Sequence, residues 1–123
     1  MALPFRILSV DNQASVTFSM KFVFTAPRFE VLTAENGVVA LDQLEADATP
    51  YDLIIVDQKM PTISGVELVG EIRRRGLPGK IIVVSAHLSS EVRAAFEAMQ
   101  VHAIFTKPFD LGALRAAVEQ IAA

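Results

Sequence analysis

Short runs of apolar, β-branched residues alternate along the chain with longer segments in which apolar positions recur every three or four residues. A strand covered on both faces needs apolar side chains at successive positions, whereas a helix packed on one side shows them at a period of about 3.6 residues. The runs predict strands at Arg6 to Val10, Phe29 to Thr33, Leu53 to Val56, Ile81 to Ser85 and Ala103 to Phe105. Three of them, ILSV, LIIV and IIVV, do not alternate, which places them in the centre of a sheet. Between the strands, helical spacing is clearest in Leu111, Leu114, Val118 and Ile121, an inward face behind Asp110 as N-cap. Val92, Ala95, Phe96 and Met99 form a second such face after Ser89 and Ser90, and a third helix starts at Ser64 and Gly65 and ends at Gly76 before Pro78. Strands alternating with helices predict an α/β fold with a parallel sheet.

Composition narrows the possibilities. A chain of 123 residues is the size of one compact domain, and a hydrophobic fraction of 52% describes a packed core. The net charge of -3 leaves no basic footprint, so direct nucleic-acid binding is not expected. With no cysteine, disulfide frameworks and thiol chemistry are excluded. The opening MALPFRILSV lacks the pattern of a signal peptide, and no stretch reaches the roughly 20 apolar residues that span a bilayer. A cytoplasmic protein without membrane contact is the expectation.

In an open parallel sheet, ligands bind at the carboxyl ends of the strands. There the sequence sets Asp11 and Asn12 after the first strand, Asp57 after the third, Ser85 and Ala86 at the end of the fourth, and Thr106, Lys107 and Pro108 after the fifth. Any one of these has an ordinary explanation as a cap, a turn former or a solvated loop residue. Together they put two acids, an amide, a hydroxyl and an ammonium on one rim. Two carboxylates close together repel each other, and a hard cation such as Mg²⁺ (or Mn²⁺) relieves that repulsion. A carboxylate can also act as nucleophile toward a phosphoryl group if positive charge neutralises the transferring oxygens. Lys107 and the cation would supply that charge, and Ser85 can donate a hydrogen bond to a new phosphoryl oxygen.

The stretches RILSVDN, TAENGVVAL, YDLIIVDQKMPTISGVEL, IIVVSA and FTKPF resemble, in this order and over essentially the whole chain, the response-regulator receiver family of two-component signalling. The resemblance implies a three-layer, doubly wound (βα)5 fold with strand order 2-1-3-4-5. It implies a single receiver domain over residues 1–123 without an output domain, and a signalling phosphoprotein rather than an enzyme. Asp57 then corresponds to the phosphoacceptor, and Lys107 and Ser85 to the groups that contact the phosphoryl oxygens. Asp11, Asn12, Asp57 and the backbone carbonyl of Lys59 form the Mg²⁺ site. The phosphodonor of such a domain is a histidine kinase or a phosphotransfer protein, and an output domain or a second copy is the further partner. Lys59 and His87 match positions that tune the lifetime of the acyl phosphate.

Two positions depart from the family pattern. Asn12 stands where a second Asp is usual, so weaker Mg²⁺ binding is expected; the alternative is that Asn12 merely caps the first helix. Ile104 replaces the aromatic residue that commonly swings inward on activation, with Phe105 beside it as a buried strand residue. In the first helix Val16, Met20 and Val23 share one face, while Phe18 and Phe22 fall nearly opposite. That predicts either a docking surface or a rotated helix. Two rival functions are a pseudo-receiver that binds partners without being phosphorylated and an Asp-nucleophile phosphohydrolase. The second is disfavoured because Lys59, not an acid, follows Asp57 by two positions.

Overall fold

A computed structural model describes residues 3–86 and 88–123. The elements are β1 (Phe5–Val10), α1 (Ala14–Val23), β2 (Phe29–Ala34), α2 (Gly37–Ala46), β3 (Leu53–Val56), α3 (Gly65–Arg74), β4 (Lys80–Ser85), α4 (Ser90–Ala98), β5 (Ala103–Thr106) and α5 (Leu111–Ala122). All strand pairings are parallel, and the order is β2-β1-β3-β4-β5. The predicted fold and strand order are therefore borne out, with strand ends shifted by a residue at most.

The apolar runs are explained by the two layers they feed. Successive side chains of a strand point to opposite faces, and β3 shows the result directly. Ile54 and Val56 join a core with Leu41, Leu68, Ile72 and Phe96 from α2, α3 and α4. Leu53 and Ile55 join a second core with Met20, Leu114 and Val118 from α1 and α5. Each of these strand residues is buried. Fully burying one such side chain is worth about 1.5 to 3 kcal/mol, so the centre of the sheet carries much of the stability.

The helix starts follow local chemistry. Ser64 Oγ accepts the Glu67 N–H at 3.2 Å while Glu67 Oε1 accepts the Ser64 N–H at 3.0 Å, a closed capping box on α3. Ser89 caps α4, and Asp110 caps α5 by accepting the Gly112 N–H. After α3 the backbone turns at Gly76 with φ 66°, a conformation glycine adopts without strain, ahead of Pro78.

Two expectations need correction. Leu111 is not part of the inward face of α5: it is 43% exposed, because it is the helix's first residue and packing on the sheet begins a turn later at Leu114. Phe105 is only half-buried, as is Ile104, because β5 is an edge strand with a neighbour on one side alone. Their side chains separate to opposite faces, Ile104 toward the α3 and α4 side and Phe105 toward the α5 side.

Candidate functional site

Strand order and register build the site. The sheet reverses its winding between β1 and β3, the kind of switch point where doubly wound folds open a crevice. Val10 pairs with Val56, so the next residues, Asp11 and Asp57, leave neighbouring strands side by side. The Asp57 N–H still donates to the Val10 carbonyl at 3.0 Å, and the Asp11 N–H to Ala34 at 3.1 Å, so both acids are fixed by extended ladders. On the other flank Ser85 pairs with Thr106, and the Lys107 N–H donates to the Ser85 carbonyl at 2.9 Å.

The side chains meet as the strand ends suggest. Asp11 (4% exposed), Asp57 (6%) and Ser85 (1%) are withdrawn from water. Lys107 Nζ donates to Asp11 Oδ2 at 2.9 Å and stands 3.7 Å from Asp57 Oδ2. Ser85 Oγ accepts the Gln58 N–H at 3.4 Å, next to the Asp57 carboxylate, whose Oδ1 accepts the same N–H at 2.9 Å. Asp11 Oδ1 accepts the Gln13 N–H at 2.8 Å, which fixes that carboxylate's orientation. Four chain segments thus supply one rim.

Electrostatics are poorly balanced there. Burial raises the pKa of Asp57 above the ordinary carboxylate range, and the negative charge of Asp11 pushes the same way. The Ser85 hydroxyl, the Lys107 ammonium and the Gln58 N–H oppose the shift without cancelling it. One ammonium serves two buried acids, so the rim has room for more positive charge. Among the described residues no group of three or more His, Cys, Asp or Glu side chains gathers, consistent with Asn12 in place of a third acid. Two buried hard-oxygen donors with uncompensated repulsion fit a cation such as Mg²⁺, held with part of its water shell.

The remaining candidates lie around this cluster. Asn12 is exposed and is not the cap of α1, since Gln13 occupies the N-cap. Lys59 is exposed in the bend after β3. His87 lies outside the described residues. Phe18 and Phe22 are 63% and 71% exposed, their rings edge to face at 5.0 Å, while Met20 is buried; the helix is not rotated. These two rings stand apart from the rim's ionic contacts.

Two glutamines contribute that sequence reasoning passed over, and Gly65, expected only as a helix start, has a second role. Gln13 Oε1 accepts from Lys107 Nζ at 3.0 Å. Gln58 Oε1 accepts the Val66 N–H at 2.9 Å and its carbonyl accepts the Gly65 N–H at 2.9 Å, which seats α3 against the loop after β3. A Cβ on Gly65 would lie 2.4 Å from the Asp57 carbonyl oxygen, so only glycine permits that approach. The place of Gly65 at the end of MPTISG, within the stretch that matches the family, was the one signal available; glutamines carry none.

A doubly wound parallel α/β fold with paired acids and a lysine at its switch point defines the class of protein. The family model "Response regulator receiver domain" matches residues 7–119, and the chain belongs to that family, whose members serve two-component signalling. It is 34% identical over 117 residues to the regulatory protein AtoC of Escherichia coli, covering 94% of this chain and 24% of AtoC. Against sporulation initiation phosphotransferase F of Bacillus subtilis the identity is 28%, over 94% of this chain and 91% of that protein. The solved structure of response regulator TrrA from Thermotoga maritima, in complex with Mg²⁺-BeF, superposes with a TM-score of 0.79 at 34% identity, covering 94% of this chain and 97% of that one. This chain thus spans about a quarter of one relative and nearly all of others.

Proposed function

We propose that this receiver domain is a phosphorylation switch, with Asp57 the phosphoacceptor and a histidine kinase or phosphotransfer protein the donor. The meeting of the Lys107 ammonium with both Asp11 and Asp57 carries the reading. A carboxylate oxygen of Asp57 forms the new P–O bond as the P–N bond of the donor's phosphohistidine breaks, its electron pair leaving with the imidazole. Lys107 stabilises charge gathering on the transferring oxygens, and Ser85 donates its hydroxyl to one of them once the acyl phosphate has formed. That last bond draws the loop after β4 toward Asp57 and changes the surface a partner meets.

Asp11, Asp57, the amide oxygen of Asn12 and the backbone carbonyl of Lys59 would hold Mg²⁺, in keeping with the Mg²⁺-BeF complex of TrrA. When bound, the ion supplies charge neutralisation that one lysine does not provide. We read the whole chain as one receiver domain, since its strand–helix units run from Phe5 to Ala122. Its chemistry is confined to its own acyl phosphate, and its place is the cytoplasm, where such donors act. No described helix is long and apolar enough to cross a membrane.

Incubation with Mg²⁺ and acetyl phosphate, read by intact mass, tests the proposal. A phosphoryl adduct is expected on the parent chain and not on Asp57→Asn. Turnover of phosphomonoesters without an adduct would instead mark a phosphohydrolase. No adduct and no turnover would mark a pseudo-receiver, the rival that Asn12 and Ile104 favour.

A further inference from the structure

The Lys107 ammonium carries three protons, and its three oxygen neighbours are not equivalent. It donates to Asp11 Oδ2 at 2.9 Å and to Gln13 Oε1 at 3.0 Å, whereas Asp57 Oδ2 is 3.7 Å away. Both hydrogen bonds run to the loop between β1 and α1, and Asp57 receives attraction without a bond. Two buried acids alone would share the cation between them. The neutral amide of Gln13 is the additional partner on one side.

What Gln13 leaves undone points the same way. It occupies the N-cap of α1 with extended backbone, φ -93° and ψ 108°, yet its side chain makes no capping hydrogen bond. Caps are usually Ser, Thr, Asp or Asn, whose short side chains fold back onto the first-turn N–H groups. The longer glutamine side chain reaches away from its helix to Lys107. Its backbone carbonyl meanwhile accepts the N–H of Val16 at 3.0 Å and of Thr17 at 3.4 Å. One residue therefore touches both the ammonium and the first turn of α1.

We propose that Gln13 is a positioning residue that holds the Lys107 ammonium on the β1–α1 loop, limits how readily it reaches Asp57, and passes its release on to α1. The inference rests on the reading of Asp57 as phosphoacceptor. A phosphoryl group brings a charge of about -1.5 to -2, and charge-assisted hydrogen bonds are roughly twice as strong as neutral ones. Both hydrogen bonds the ammonium now makes are charge-assisted, but the one to Gln13 has no anionic acceptor, so it is the weaker and yields first. Its loss frees the Gln13 side chain at the point where α1 begins.

The test compares the parent with Gln13→Ala and with Gln13→Asn, whose amide is one methylene too short to reach. Gln13 is exposed, so both variants keep the fold. In the unphosphorylated protein, proton exchange of the Lys107 ammonium, followed by NMR, should quicken about ten- to a hundredfold, the range one hydrogen bond to a charged group allows. Modification of Asp57 by acetyl phosphate and Mg²⁺, read by intact mass, should quicken by a similar factor. Beryllofluoride with Mg²⁺ should move the Val16 and Thr17 amide resonances in the parent and move them less in both variants. Unchanged Lys107 exchange in Gln13→Ala overturns the positioning role, whether or not the parent is modified. Variant modification rates equal to those of a parent that does take the phosphoryl group overturn it as well. A parent that takes none overturns the phosphoacceptor reading, and this is seen before any variant is compared.

Discussion

The two ends of the sheet both hold ions withdrawn from water, and they are compensated in different ways. At the amino ends of the strands, the Arg6 side chain is 13% exposed and has partners on every side. Its Nε donates to Glu30 Oε1 at 2.6 Å, Nη1 donates to the Thr49 carbonyl, and Nη2 pairs with Asp47 at 3.6 Å. The guanidinium lies 4.4 Å from the centroid of the Tyr51 ring. The Tyr51 hydroxyl donates to Asp47, and its pKa is pushed up to about 12, first by burial and then by that carboxylate. At the carboxyl ends, Asp57 has the Ser85 hydroxyl beside it, one backbone N–H at 2.9 Å and an ammonium at 3.7 Å that it shares with Asp11, and these do not cancel the effect of its burial. A saturated cluster fixes the loop after α2 to the sheet; an undersaturated one is left open to an incoming charged group.

The largest effect that would sharpen this contrast comes from Arg6→Met. It leaves the Thr49 carbonyl without its charged donor and the exposed carboxylates of Glu30 and Asp47 without their cation, and we expect a loss of about 2 to 3 kcal/mol in urea unfolding. Phosphoryl uptake by the folded fraction should stay as in the parent, and a slower uptake would break the separation between the two ends. Next in size is Gly65→Ala. Its Cβ would meet the Asp57 carbonyl at 2.4 Å, which forces α3 to shift and costs about 2 kcal/mol, typical of overpacking. Here stability and uptake should fall together, because the displaced backbone belongs to Asp57, the proposed phosphoacceptor.

The smallest effect is in the pH dependence of stability. The pKa of Asp57 is higher in the folded protein than in the unfolded chain, so folding favours its protonated form. That contribution is complete below the ordinary aspartate range and is lost as the pH rises through the folded value. Asp57→Asn removes the loss. Thermal melts from acid to neutral pH should show the variant gaining on the parent through that rise and holding a constant lead above it. A variant less stable than the parent at neutral pH would mean that Asp57 is already fully compensated, and the contrast between the ends would fail.

Much of the site was legible before any coordinate, for a physical reason. In parallel strands every carboxyl end faces the same way, so residues that follow apolar runs must share a rim, and Asp11, Asp57, Ser85 and Lys107 do. Gln13 was not legible, because a glutamine in a loop has no pattern that marks its partner 94 positions away. Leu111 was misplaced for the opposite reason. It fits the helical period, yet the period does not tell where a helix begins to overlie the sheet.

By itself the sequence determined the alternation of strands and helices, the central position of β1, β3 and β4, and which chemical groups end each strand. These follow from side-chain periodicity and from turn residues, which act over a few neighbours. Tertiary structure alone decided that Lys107 bonds Asp11 and Gln13 rather than Asp57, that Gly65 lies against the Asp57 backbone, and that Arg6 is saturated while Asp57 is not. Distances of that kind depend on how layers pack and how registers align, and these are set by contacts between residues far apart in the chain.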